Sequence, residues 1–411
     1  MVSDFIVLYL ALLAFFLGGD PVPGEQVVPP LGGGEQNATV SSSIPRDEAF
    51  FVRAWEIEGV TLFEEDEVRG LLNGLSGKEI SFAQVEEAVS VIERHYEENG
   101  FLARAVVPPQ DVSSGLVMVE VLEARLGEIR IEEGGSSLVS EDRILSMVGG
   151  GLGKGELYDA DSLNRGLLLA DDLSGVSLTG FLQEGSEPGL VDLNLKTLKE
   201  ARATAELAVD NANARALGSE RVVFSGTLVS PLSMAEVFSI KSLLSEGSFY
   251  RSFSASVPIG SEGFKLRVYL SKLSYDVISD EFRALDISGG VEEEGIELSY
   301  PVYRSSKANL YWSVQRDNRS YETKVVGSVV KDSRIKGFKT ELTGNLFDEW
   351  GGGGANSASL SFSRGDLGGF GVLPSMLGDY SIYNYSLTRQ QALSDKLSLF
   401  VSLRGQFAEG L

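Results

Sequence analysis

The chain has 411 residues, with 35 Lys+Arg against 59 Asp+Glu, a formal charge of -24, one His and no Cys. The lack of cysteine excludes a disulfide scaffold, a thiolate zinc site and a cysteine nucleophile, and a single histidine leaves no multi-histidine metal site or Ser-His-Asp triad to expect. An acidic balance of this size does not suit nucleic acid, which needs clustered Lys and Arg, whereas 43% hydrophobic residues are enough to bury cores.

At the start, Phe5–Leu17 is apolar throughout and breaks at Gly18-Gly19-Asp20-Pro21. Such a run is too short to cross a ~30 Å hydrocarbon layer as a helix and suits the apolar part of a secretory signal. Against that, Asp4 stands where Lys or Arg is usual and no A-x-A site precedes the break. Residues 1–19 therefore read as a signal-peptide-like segment and 20–49 as a Gly/Pro-rich linker. No later stretch reaches ~18 consecutive apolar residues, so helical membrane spans are not expected.

From Phe50 the pattern becomes globular. Phe51–Ile57 reads as a strand, Glu64–Asn73 as a short helix, and Phe82–Asn99 as a long one. In the long helix Val85, Ala88, Val89, Ile92 and Tyr96 share one face, and Glu86, Glu87, Glu93, Glu97 and Glu98 face away. Gly100 supplies the stop, and strands Leu102–Val107 and Leu116–Leu122 follow across Pro108-Pro109 and Gly115. The order β-α-α-β-β then recurs: strand Gly127–Glu132, helices Ser140–Met147 and Asp161–Leu173, strands Val176–Leu182 and Leu190–Thr197. The lone His95, between Arg94 and Tyr96, reads as a surface or packing residue.

Beyond Ala201 the helical period gives way to period two. Phe264, Leu266, Val268 and Leu270 alternate with Lys265, Arg267 and Tyr269; Lys307–Gln315 and Lys396–Arg404 repeat the pattern. Segments near 201–209, 220–229, 236–245, 248–257, 284–289, 295–303, 335–347, 357–363 and 380–388 behave similarly. Charged residues in mid-strand need water on one face, so the opposite apolar face meets either a second sheet or lipid. The strands are long and the only other packing partners are already committed to their own cores, which favours lipid and a closing barrel.

Several runs resemble one family. Val107-Pro108-Pro109-Gln110-Asp111, Gly115, Val119-Glu120-Val121 and Gly127-Glu128-Ile129 are similar to the first POTRA domain of two-partner secretion transporters, the TpsB proteins of the FhaC/ShlB/HecB type. Glu187-Pro188-Gly189 and Asp192-Leu193 resemble the end of the second POTRA domain, Asp210-Asn211, Gly218 and Pro231 the start of the barrel, and Ser256–Gly260 and Ser299–Ser305 later strands and turns. The resemblance implies an α+β then all-β fold: POTRA 1 over 50–125, POTRA 2 over 126–199, and the N-terminal part of a transmembrane β-barrel over 200–411. Roughly eleven strands are countable against the about sixteen the resemblance implies, and the VRGY/F signature of the family is not seen, so a C-terminally truncated chain is expected.

The same resemblance implies an outer-membrane protein with periplasmic POTRA domains, in contact with outer-membrane lipid, that exports an unfolded haemolysin- or adhesin-like exoprotein. The expected client site is the edge strand of POTRA 1 with the helix groove beside it: Leu102, Ala103, Arg104, Ala105, Val106 and Val89. Lys265, Arg267, Asn309 and Gln315 are expected to line the pore. No catalytic residue, metal, cofactor, nucleotide or nucleic acid is expected. Gly149–Gly155 (GGGLGKG) lacks the Ser/Thr that follows Lys in a phosphate loop. Two other readings are a BamA/TamA-like insertase and, remotely, a secreted hydrolase using carboxylates such as Asp210 or Glu292-Glu293-Glu294.

Overall fold

The computed structural model describes residues 49–132, 136–394 and 396–409. The signal-like segment and almost all of the linker lie outside the described residues. Two small α/β modules precede one large antiparallel sheet.

In the first module β1 (Ala49–Val52), β2 (Ala54–Glu58), α1 (Glu65–Leu71), β3 (Lys78–Ser81), α2 (Phe82–Glu98), β4 (Ala103–Val106) and β5 (Leu116–Glu123) follow in order. The expected single strand Phe51–Ile57 is broken at Arg53. The Gly115 carbonyl accepts both Arg53 N–H (2.6 Å) and Ala54 N–H (3.2 Å), so the chain kinks there. β1 pairs with β3, and β2 joins a separate sheet of order β2-β5-β4. Ser81 and Gln84 cap α2 reciprocally, and Gly100, at φ 83°, ends it in the left-handed region. Val85, Ala88, Val89, Ile92 and Tyr96 are buried against Val117, Val119 and Val121 of the sheet, as the spacing predicts.

Pro108 and Pro109 cannot donate to a ladder, so β4 ends before them. The side chain of Gln110 takes over: its amide donates to Met118 O (2.7 Å) and its carbonyl oxygen accepts from Met118 N–H (2.7 Å). One carboxamide thus stands in for the missing strand residue. At the far end of β5, buried Glu123 accepts from Thr61 N–H (2.7 Å), Leu62 N–H (2.9 Å), Tyr96 Oη (2.9 Å) and the Thr61 hydroxyl. Burial works to raise this carboxyl, but the donors from Thr61, Leu62 and Tyr96 outweigh it and hold it below the usual range.

The second module has β6 (Arg125–Ile131), α3 (Glu141–Val148), α4 (Ala160–Asp171), β7 (Val176–Glu184) and β8 (Leu190–Lys199), with sheet order β6-β8-β7. In both three-stranded sheets the first strand is parallel to the last, and the middle strand in sequence is an antiparallel edge. This is the repeat that the sequence order predicts. The GGGLGKG run is structural: Gly149–Gly151 forms a turn after α3, and Lys154 pairs with Glu128 at 2.8 Å. Hydrogen bonds from Lys154 and Arg130 hold Glu128 down at about 2.

The remaining strands are β9 (Ala203–Asp210), β10 (Arg221–Val229), β11 (Val237–Ser245), β12 (Ser248–Ile259), β13 (Phe264–Asp276), β14 (Ser288–Arg304), β15 (Ala308–Val325), β16 (Ser328–Asp348), β17 (Gly354–Phe370), β18 (Gly378–Ser394) and β19 (Leu397–Glu409). Each pairs antiparallel with its sequence neighbours in one 11-stranded sheet. The segments expected at 284–289 and 295–303 are not two strands: Arg283–Leu285 is a 3₁₀ turn, and β14 runs unbroken from Ser288.

The register sorts side chains by face. One row crosses the sheet through Val257, Leu266, Leu298, Val314, Thr340, Phe362, Tyr383 and Phe407. The neighbouring row on the other face runs through Ser256, Arg267, Glu297, Gln315, Lys339 and Ser363. Leu266 is half-buried, and Leu310 and Leu399 are 36% and 49% exposed, so none of the three lies in an enclosed core. The polar face is the more crowded one, with Asp317 at 6% and Ser361 at 6%.

The helices of the second module dock on one end of this sheet. Arg143 donates to Pro258 O (2.6 Å), Arg165 donates to Pro301 O (2.8 Å), and Asp172 receives two bonds from Arg304 at 2.9 and 3.0 Å. The loop between β10 and β11 inserts Ala235 into the second core.

Two outcomes are expected. Leu266→Arg disfavours assembly in lipid by about 2–4 kcal/mol if it lies near the midplane, while Ser254→Arg, opposite Tyr269 on the polar face, is far milder; folding titrations in lipid vesicles check this. Glu123, held below its ordinary 4.5 when folded, stabilises the first module above that pH, and the contribution disappears as acid protonates it. Glu123→Gln should lower stability at neutral pH and flatten its fall below pH ~4.5, read by denaturant melts across pH.

Candidate functional site

β4 is a true edge, since it pairs with β5 alone. Its residues divide into two groups. Ala105 is buried in the first core and Ala103 packs against it, while Arg104 is exposed and lies 3.7 Å from Glu184 of the second module. Two expected residues do not offer themselves to a client. Val89, 5% exposed, belongs to the core because it sits on the inward stripe of α2. Leu102 precedes β4, packs against the second core, and its carbonyl accepts from Ala124 N–H at 2.8 Å. What remains is the outward backbone of Ala103–Val106 with the Arg104 and Val106 side chains.

That backbone is already partly occupied. Glu93, on the outer side of α2, reaches over the edge and accepts from Ala105 N–H at 3.0 Å. The second module repeats the device: Asp171, the last residue of α4, accepts from Leu178 N–H on edge strand β7 at 2.6 Å. Burial pushes the Asp171 carboxyl up; the Leu178 bond opposes this, and nearby Asp172 and Glu200 add to it. A carboxylate on an edge N–H blocks strand addition by like chains, yet can swing away when a carbonyl takes its place. Period-based reading puts Glu93 simply among residues facing away. Its reach to the edge depends on helix-to-sheet placement, which periodicity does not carry.

On the large sheet the expected pore residues separate. Arg267 and Gln315 share the crowded polar face, with Arg267 3.6 Å from Glu297. Gln315 donates to Tyr269 Oη (2.6 Å) and to Asp317 (3.3 Å), and Arg319 bridges Glu293 (2.8 Å) and Asp317 (3.1 Å). Lys265 is exposed on the same face, near the docked end. Asn309 is at the β14–β15 turn, accepting from Arg304 at 2.8 Å, so it braces the turn that carries the Asp172 contact. His95 packs on Phe63 with ring centroids 4.7 Å apart.

The acidic groups considered for catalysis all have structural partners: Asp210 with Arg221 (2.7 Å), Glu292 with Lys272, Glu293 with Arg319, and Glu294 with Asn318 (3.2 Å). Among the described residues no three His, Asp or Glu side chains converge as metal ligands, and no helix is long and apolar enough to cross a membrane.

Comparison with known proteins agrees with this architecture. Residues 50–124 match the model of the POTRA domain, ShlB-type, and residues 189–410 match that of the haemolysin secretion/activation protein ShlB/FhaC/HecB. The heme/hemopexin transporter protein HuxB of Haemophilus influenzae is 24% identical over 362 residues, covering 84% of this chain and 62% of its own length. The outer membrane transporter CdiB of Escherichia coli is 23% identical over 287 residues, covering 68% and 45%. The chain thus spans less than two thirds of the length of these relatives. Two solved structures share the fold: CdiB from Escherichia coli, with a TM-score of 0.68 at 18% identity over 90% of this chain and 70% of that one, and CdiB from Acinetobacter baumannii, with 0.55 at 15% over 99% and 76%. A ShlB-type POTRA match ahead of a large antiparallel sheet, and a family match over 189–410 that takes in more than half of the chain, identify it as an outer-membrane member of the ShlB/FhaC/HecB haemolysin secretion/activation family.

Proposed function

We propose that this chain acts in two-partner secretion, capturing one unfolded exoprotein on its periplasmic modules and passing it across the outer membrane along the polar face of the barrel. The observation that carries the reading is the join: an edge strand, β4, whose outward N–H only a side-chain carboxylate covers, precedes a second module anchored to one end of the sheet through Arg143, Arg165 and Asp172. A client strand added at β4 pairs through backbone groups, so affinity does not demand one sequence, which suits a long, repetitive exoprotein. Beyond the mouth, the mixed charges around Arg267, Glu297, Arg319 and Glu293 keep the passage wet. The energy of transfer is supplied by client binding and by folding outside.

The test is co-expression of the transporter with a candidate large exoprotein from the same genome, followed by assay of the medium. Ala105→Pro removes the outward N–H without touching the β4–β5 ladder and should cut export about tenfold, whereas Glu93→Ala, which only uncovers that N–H, should keep or raise it. Undiminished export by Ala105→Pro, with the barrel still heat-modifiable on gels, would contradict the edge reading. A loss of other outer-membrane proteins on depletion of the transporter would instead support an insertase.

A further inference from the structure

The turn that joins β10 to β11 has an unusual backbone. Ser230 (φ 49°), Ser233 (φ 62°) and Ala235 (φ 62°) are three of the five non-glycine residues in the left-handed region among the described residues. Side-chain-bearing residues hold that conformation only where their surroundings impose it. Here a buried carboxylate and the second module do so. Glu236, 4% exposed, accepts from Leu232 N–H and from Met234 N–H (2.9 Å), and its own carbonyl accepts from Ser230 N–H (2.7 Å). The Ser230 hydroxyl donates to Leu138 O (3.0 Å) and accepts from Ala235 N–H (3.1 Å), while Ser233 O accepts from Ser140 N–H (3.0 Å). Ala235 enters the second core.

The turn therefore has a docked side and an open side. On the open side stand Leu232, 68% exposed, and Met234, 47% exposed. Both have their N–H groups on Glu236, so the same carboxylate that orders the turn keeps two apolar side chains out of the core that Ala235 enters. Their surroundings continue the lipid-facing belt. Leu228, the last outward residue of β10, pairs with Phe238, the first of β11, and their row runs on through Ala255 to Val268. Leu232 and Met234 lie between those two belt residues in sequence, on the end of the sheet that carries the second module. The periplasmic end of the belt is where inner-leaflet head groups begin.

We propose that Leu232 and Met234 insert into the head-group boundary of the inner leaflet, so that this turn pins the second module to the phospholipid surface as well as to the sheet. Two apolar side chains gain by leaving water at that boundary, and unbranched Met adapts to an irregular lipid surface. A preformed turn loses little freedom on insertion, which is the use of its imposed backbone. The proposal rests on the barrel reading of the sheet, and on nothing about the exported client.

The chain has no cysteine, so a single introduced one carries a single fluorophore. Leu232→Cys, Met234→Cys, Leu266→Cys on the belt and Lys196→Cys on the second module are each labelled with NBD in the full chain. The labelled proteins are placed in phosphatidylcholine vesicles whose lipids bear a nitroxide either near the head group or near the chain end. Labels at 232 and 234 should be quenched about twofold or more by the shallow nitroxide and less by the deep one, and the label at 196 by neither. The label at 266 should respond to the deep nitroxide. Adding Glu236→Ala should roughly halve the quenching at 232 and leave 266 unchanged. Unchanged quenching at 232 in that variant overturns the part given to Glu236; if the variant does not fold, the single labels still decide. Labels at 232 and 234 as unquenched as the one at 196, with 266 quenched, overturn this proposal alone. If 266 is unquenched as well, the barrel reading falls with it. A blue shift at 232 that appears only on adding exoprotein, or only at high protein density, assigns the pair to the client or to a second copy and overturns the lipid assignment.

Discussion

A strand cannot leave its N–H and C=O groups unpaired in hydrocarbon, where each costs several kcal/mol. Everything beyond residue 200 follows from that constraint. Strands β10 to β18 are each paired on both sides, so the ladder is continuous across the sheet, and among the described residues β9 and β19 form its two edges. Pairing in turn fixes which side chains share a face. Once Leu266 points outward, register obliges Leu298, Val314 and Phe362 to follow, and Arg267, Glu297 and Gln315 to point the other way. The polar face can then carry charge because its groups satisfy one another, as Arg319 does between Glu293 and Asp317.

The small modules face the opposite problem. In water an unpaired edge is tolerated but invites the wrong partner. Both modules answer with a carboxylate over the edge, Glu93 on Ala105 and Asp171 on Leu178. Gln110 plugs a second gap in the first module, where two prolines halt the strand and a side chain completes the ladder. The edge is therefore guarded without being closed. The second module is in turn held to one end of the sheet through Arg143, Arg165 and the Asp172–Arg304 pair.

Much of this architecture was legible in the sequence, for reasons that can be named. Val85, Ala88, Val89, Ile92 and Tyr96 mark α2 because a helix covering a sheet needs one apolar stripe, and the β-α-α-β-β order repeats because both modules solve the same packing problem. Period two revealed the strands wherever one face is wet and the other is not. It failed in β14, where Glu292, Glu293 and Glu294 succeed one another: there both faces are polar, each carboxylate has a partner on the neighbouring strand, and alternation carries no signal. The edge strand is legible in the sequence, whereas the burial of Val89 in the first core and the packing of Leu102 against the second depend on how the helix and the two modules come together, which is a tertiary fact. Glu93 and Asp171 were invisible as edge guards for the same reason.

The central claim is that the strands keep apolar side chains toward lipid and polar ones toward water along the lower part of β13. Nitroxide labels placed singly from Phe264 to Asp276 in lipid vesicles test it directly, through their relative exposure to oxygen, which concentrates in lipid, and to a water-soluble nickel chelate. The account predicts that labels at 264, 266, 268 and 270 favour oxygen and those at 265, 267 and 269 favour nickel, with the alternation fading from 272 onward. Uniform exposure to one quencher along the whole strand would contradict it.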